Sequence, residues 1–213
     1  MPNAIRKFYK YIKQEHLRSF FKNGNIRIGT LHDFQSKEIH NYQILDNEEG
    51  IKSANKVINW RGGPKDQPAF DRKFIRVSAD NVTIKNVLVR EEIKSPNFYI
   101  FSVSGSFSIE IMKKMNPEYD ACIAILKPEQ FFRAIAKKLQ DKISKWIFGP
   151  CHYITRHLPH NEQHNIHPAW IKDPEYRYQD EYRMIMIPNS NEIQPLFIKS
   201  KYATRFCKPH YIA

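Results

Sequence analysis

Apolar and polar positions alternate with a period of two at several places along the chain, and each such run predicts a half-buried strand. Residues 5–13, IRKFYKYIK, interleave aromatic and aliphatic side chains with basic ones, and NIRIGT (25–30) repeats the pattern. NFYIFSVS (97–104) and the apolar DACIAIL (120–126) predict two more strands. A helical period replaces this alternation in QEHLRSFFKNG, where Leu17, Phe20 and Phe21 share one face and Gly24 stands where a left-handed cap is wanted. It returns in KPEQFFRAIAKKLQDKI, with a stripe of Phe131, Phe132, Ile135 and Leu139 and with Pro128 suited to the first turn. SIEIMKKM predicts a shorter helix. Between residues 52 and 89, FIRVS, VTIKNVLV and the turn Gly62-Gly63-Pro64 predict a meander of antiparallel strands. A further strand is expected from Gly149 to Thr155, and YQDEYRMIMI with IQPLFIKS predicts a closing hairpin turned by Pro188-Asn189-Ser190-Asn191. The polar stretch 31–50 predicts a functional loop or a broken helix. Strands interrupted by few helices, with no internal repeat and no dividing linker, predict one α+β domain over residues 1–213.

Charge changes the picture. The chain carries 34 Lys and Arg against 22 Asp and Glu, a net +12, which points to a polyanionic partner. The first twenty residues are charged throughout, so neither a secretory signal nor a membrane span is expected. Three cysteines without a Cys-x-x-Cys pair fit reduced thiols, and hence a cytoplasmic setting. Seven glycines supply neither G-x-G-x-x-G nor a P-loop, and there is no G-x-S-x-G elbow, which argues against the common nucleotide-phosphate cradles and against an α/β-hydrolase. Cys151 and His152 are neighbours on an expected strand and point to opposite faces, so they make no nucleophile–base pair.

Five histidines, His152, His157, His160, His164 and His167, crowd one span. His160 and His164 have the i, i+4 spacing of a zinc helix, but Glu162 stands one place too late for H-E-x-x-H and Pro159 precedes it. A basic exposed loop is the expectation, and no metal is expected. A metal nuclease using this loop with Asp173 and Glu175 is the lesser reading.

The segment Tyr176-Arg177-Tyr178-Gln179-Asp180-Glu181-Tyr182-Arg183 holds the most chemistry. On a strand, Gln179, Glu181 and Arg183 project from one face, so an amide and a carboxylate stand side by side. Alone, Q-x-E is the polar face of an ordinary strand. Its neighbours change that weight: Phe8-Tyr9-Lys10-Tyr11 on the first strand, Thr30, Leu31 and Phe34 as a Thr-Leu-x-x-Phe element, Asp46, Glu49 and Gly50 as D-x-x-E-G, Phe101 and Ser102 on a central strand, and Lys172, Tyr178 and Glu181-Tyr182-Arg183 as a terminal K…Y-x-x-E-Y-R.

Together these resemble a widespread bacterial domain family, which is in turn similar to the ADP-ribosyltransferase superfamily in its Q-x-E variant. The resemblance implies split antiparallel β-sheets with flanking helices, holding NAD as co-substrate in the cleft without a Rossmann motif. It implies Glu181 and Gln179 as catalytic residues and Lys10, Tyr11, Thr30, Phe34 and Ser102 as NAD contacts. This chain departs from the pattern in Lys10-Tyr11, where many members have Arg or His, and in Ser102-Val103-Ser104 in place of Ser-Thr-Ser. The loop ahead of the Q-x-E strand then holds acceptor-binding candidates, Trp170, Lys172, Tyr176, Arg177 and Tyr178, whose aromatic and basic groups suit stacking on an unpaired base.

The chemistry agrees with these assignments. Cleaving nicotinamide from ribose creates an oxocarbenium-like sugar, where a fixed anion at a ribose hydroxyl has most effect. Gln179 offers a donor and an acceptor but no base, which suits an amide or a nucleobase. The expectation is an NAD-dependent ADP-ribosyltransferase acting on RNA or single-stranded DNA, resembling the messenger-RNA-modifying toxins of antiphage toxin–antitoxin systems, with a cognate antitoxin as partner. A non-catalytic basic nucleic-acid-binding module and a transferase with a protein acceptor are the alternatives.

Overall fold

The computed structural model describes residues 6–33, 46–162 and 165–213. Along the chain, β1 (Phe8–Ile12) leads into α1 (Gln14–Asn23), which ends where Gly24 adopts φ +74° and donates its N–H to the Phe20 carbonyl, as the sequence predicts. β2 (Asn25–Thr30) follows, then a long pair, β3 (Ile51–Gly62) and β4 (Val82–Lys94). β5 (Tyr99–Ser104) precedes α2 (Ile109–Met115), whose first turn is capped by the Ser108 hydroxyl accepting from the Ile111 N–H. β6 (Ala121–Ile125) and α3 (Pro128–Lys138) come next, with Pro128 in the first turn. β7 (Ile143–Pro150), β8 (His152–Tyr153), β9 (His157–Pro159), β10 (Ile171–Lys172), β11 (Glu181–Pro188), β12 (Leu196–Lys199), α4 (Lys201–Thr204) and β13 (Cys207–Ile212) complete the order. Few helices among mostly antiparallel strands make this an α+β fold.

The principal sheet is eight-stranded and forks. One edge of β5 pairs with β11 over its whole length, from Ser104 opposite Glu181 to Tyr99 opposite Met186. Its other edge is shared: Tyr99 and Ile100 face Thr30 and Gly29 of β2, while Ser104 faces Tyr9 of β1. Between those two contacts Phe101, Ser102 and Val103 have no ladder partner on that side among the described residues. β1 continues into β6 and β13, β2 into β12, and β11 into β7, so two wings diverge from the unpaired stretch of β5.

Cross-strand partners lie on the same face of a sheet. Glu181, Ser104, Tyr9, Ala124 and Lys208 therefore form one row, with Arg183 and Ser102 on the same face. Phe101, Val103, Met184 and Met186 occupy the opposite face, as do Phe8, Ile123 and Ile125 from the β1–β6 wing. That second face is the core: Leu17 and Phe20 of α1 and Phe131, Phe132 and Ile135 of α3 bury against it. The first face carries α2 over Tyr11 and Cys122 and is left to the site.

Three expectations are corrected. FIRVS (74–78) forms no strand, and the 51–94 region is one long hairpin of β3 and β4 in place of a meander. β11 and β12 make no hairpin, because β11 is claimed on both edges by β5 and β7 while β12 pairs with β2. The strand expected at Gly149–Thr155 starts earlier, at Ile143, and breaks at Cys151.

Candidate functional site

The terminal motif is placed by an abrupt change of backbone. Pro174–Gln179 is a 3-10 turn, Asp180 takes a left-handed conformation at φ +42°, and the strand starts only at Glu181. Gln179 therefore does not precede Glu181 on a strand, as the sequence suggested, but both still reach one point. Lys172 Nζ donates to Gln179 Oε1 at 2.5 Å and lies 2.7 Å from Glu181 Oε2. This buried ammonium bridges the amide and the carboxylate.

Glu181 Oε1 accepts from the Ser102 hydroxyl at 2.6 Å and from Arg183 Nε at 2.7 Å. Arg183, the largest fully buried side chain, also donates to Glu49 Oε1 at 2.6 Å and to the Ala169 carbonyl at 2.8 Å. The acidic D-x-x-E-G stretch thus does structural duty. Glu49 holds Arg183, Asp46 makes a two-pronged pair with Arg156, and Gly50 turns the chain at φ +74°. Burial raises the Glu181 carboxyl, yet Arg183 and Lys172 outweigh it and hold the group well below the usual carboxylate range. Burial likewise opposes the charge on Lys172, but Glu181 and Glu49 leave its ammonium above its ordinary value.

A carboxylate has about four lone-pair positions. Among the described residues, the contacts with Ser102, Arg183 and Lys172 occupy three, leaving one on Oε2. One hollow opens beside it, and a second adjoins the first. The inner one, about 70 Å³, is lined by Glu181, Gln179, Lys172, Ser102, Tyr9 and Met115 among others. An outer one, about 520 Å³, lies beneath α1 and is lined by residues including Lys13, His16, Arg27 and Phe101. Lys10, Tyr11, Ser102 and Tyr119 border both. The outer volume is that of a small-molecule site, whereas the inner can admit only one end of such a ligand.

Lys10 sits in the fork itself. Its Nζ donates to the Ser102 carbonyl at 2.9 Å, supplying the unpaired edge of β5 with a partner, and lies 5.1 Å from the Phe101 ring centroid. Burial lowers this ammonium to about 8, Glu181 pulling upward and Arg27 adding to the fall. Tyr11 faces the other way: its hydroxyl donates to the Ser106 carbonyl and accepts from the Ser108 N–H, pinning the turn before α2. Thr30 is buried at the far end of β5, opposite Tyr99, with its hydroxyl accepting from the Asp33 N–H, and it borders neither hollow. Phe34 and His164 lie outside the described residues.

The expected acceptor-binding set is divided. Lys172 is buried in the site, and Trp170 packs on the cluster of Leu31, Ile100 and Ile185. Tyr176 is half-buried with its ring 5.1 Å from Lys172 Nζ, Arg177 is exposed and donates to the Tyr153 carbonyl, and Tyr178 lies beneath the Lys114 ammonium. The histidines are dispersed: His157 bonds Ser53 and Glu48, His160 stacks on Phe70, and His167 caps the turn 168–170. Among the described residues no group of three His, Cys, Asp or Glu side chains is placed to hold a metal. Sequence reading passed over Tyr153, whose hydroxyl accepts from the Glu181 N–H at 2.6 Å, and the pocket walls Met115 and Tyr119. No motif flags them, because they arrive from distant parts of the chain.

No family model, curated protein or solved structure matches the chain. The site therefore carries the functional argument alone. Among the described residues, no helix is long and apolar enough to cross a membrane.

Proposed function

We infer that this chain is an NAD-dependent ADP-ribosyltransferase whose acceptor is RNA or single-stranded DNA. The reading rests on one observation above others: an ionised carboxylate, Glu181, is fixed by Ser102, Arg183 and Lys172 at the wall of an inner hollow that adjoins a ligand-sized outer one. The free lone pair on Glu181 is available to a ribose hydroxyl, and its negative charge is preorganised where a sugar cation would form. In that reaction the bond from the ribose anomeric carbon to the nicotinamide nitrogen breaks. The electron pair leaves with nicotinamide, and a nucleophilic nitrogen or oxygen of the acceptor bonds the same carbon and loses its proton to solvent. Lys10 and Arg27 border the outer hollow and suit a pyrophosphate. Gln179, its oxygen held by Lys172 and one amide N–H given to the Tyr178 hydroxyl, has its second N–H for the acceptor or the leaving amide. Membership of a stress or antiphage module with a protein antitoxin belongs to the resemblance and is proposed with it.

A non-catalytic module has one observation in its favour: Glu181 is already paired twice over with cations, as a structural carboxylate would be. Incubating the purified chain with NAD labelled in the adenosine half, together with total RNA, single-stranded DNA or protein extract, separates the readings. Label entering nucleic acid with wild type and not with Glu181→Gln is the expected result. Label on protein alone keeps the enzyme and changes the acceptor, and no release of nicotinamide in any mixture rejects the transferase.

A further inference from the structure

The row of register that begins at Glu181 does not stop at the pocket. It runs on the same face through Ser104, Tyr9 and Ala124 to Lys208 at the sheet edge, four strand spacings or about 19 Å. Ser104 and Ala124 are buried, Tyr9 is part-exposed, and the row opens to solvent at Lys208. Along it lies an aromatic cluster in which Tyr9, Phe107 and Tyr211, each part-exposed, pack on Tyr11, Met112 and Cys122. The register shift between Pro209 and Tyr211 gives β13 an extra residue, and His210 is the one displaced. Its exposed ring stands 5.0 Å from the Tyr9 ring and 4.5 Å, edge-on, from Phe107, and Tyr211 lies 5.9 Å from Phe107. Tyr9 itself also lines the inner hollow.

The charge about this cluster is cationic. Lys7 and Lys208 are exposed, and they, after burial, keep the His210 imidazole below its ordinary value. His210 is thus a neutral ring at neutral pH, with ammonium groups on either side. On the proximal side Lys114 covers Tyr178 at 4.0 Å. Aromatic faces interleaved with ammonium groups, leading to a pocket, match an unpaired nucleotide strand, because every base has a face to stack and every linkage carries a phosphate.

We propose that the Tyr9–Phe107–His210 platform, flanked by Lys7 and Lys208, is a binding site for single-stranded nucleic acid that delivers one nucleotide toward the Glu181 pocket. The proposal builds on the transferase reading for the fate of the strand, but binding itself needs no NAD. The platform takes the place of the loop at 170–178, whose Trp170 and Lys172 are committed to packing and to the site.

The test uses the full chain without NAD and a fluorescein-labelled twelve-nucleotide RNA of mixed sequence, read by anisotropy across a salt series. His210→Ala and Lys208→Glu change exposed residues, and circular dichroism melts confirm their folding. His210→Ala is expected to weaken binding about 5- to 100-fold, from the loss of one stacked base. Lys208→Glu is expected to reduce the slope of log affinity against log salt by about 0.7–1. Wild-type affinity equal for a duplex of the same sequence, or unchanged affinity in both variants, overturns the proposal. A chain that binds the strand this way yet never cleaves NAD leaves the platform standing and removes the transferase.

Discussion

Arg183 is the residue on which the site depends most. It neutralises Glu49 and Glu181 together while itself buried, and its removal would leave two buried carboxylates each short of one cation. Arg183→Met is expected to destabilise the fold by about 3–5 kcal/mol, measured by urea denaturation. Glu181→Gln keeps the shape and loses the charge, so on the transferase reading its NAD cleavage falls by about 100-fold or more while NAD binding weakens far less. Lys10 makes a pH prediction. With its ammonium lowered to about 8, Lys10 is cationic below that pH and neutral above it. Affinity for the anionic dinucleotide is therefore expected to fall as pH rises through 8, and Lys10→Met to abolish that dependence, both read by calorimetric titration. The same shift acts on the fold with the opposite sign. The folded state opposes protonation of Lys10, so stability rises between about 8 and the ordinary lysine value.

At the scale of elements, the turn at Gly24 joins α1 to β2 and also receives α4. A Cβ there would meet the Lys201 nitrogen at 2.4 Å, and the backbone is held at φ +74°. Gly24→Ala combines left-handed strain with overpacking and is expected to cost about 3 kcal/mol, a fall in Tm of roughly 6–12 °C in a thermal melt. This turn, with α1, α3, β1, β2, β5 and β6, was legible in the sequence because period and capping are local properties. Pairing was not. Nothing in the alternation of YRMIMI says that β5 and β7 will flank it, and the Pro188–Asn191 turn chemistry wrongly suggested a hairpin with β12. The site divides along the same line. Glu181, Gln179 and Ser102 stand in motifs with short spacings. The bridging place of Lys172, the packing of Trp170 and the contact of Tyr153 with the Glu181 backbone depend on how loops far apart in sequence come together.

For the molecule as a whole, the internal ion network makes stability sensitive to acid. Glu181 is held below the usual carboxylate range in the fold, so its stabilising contribution is complete above that range and is lost as pH falls below it. Urea midpoints measured from pH 7 down to pH 3 are expected to drop below about pH 4 in wild type, and to drop less steeply in Glu181→Gln, which starts weaker and has no proton to take up there. The forked sheet has a consequence in time as well. Ser102 and Ser104 meet Glu181 and Arg183 only by joining segments nearly eighty positions apart, and the wing beside them closes on β13 near the chain's far end. A ribosome has therefore made the whole stretch from Ser102 to Glu181 before that carboxylate is seated in the fork. The inner pocket therefore cannot form in the nascent chain until β11 has left the exit tunnel to pair with β5.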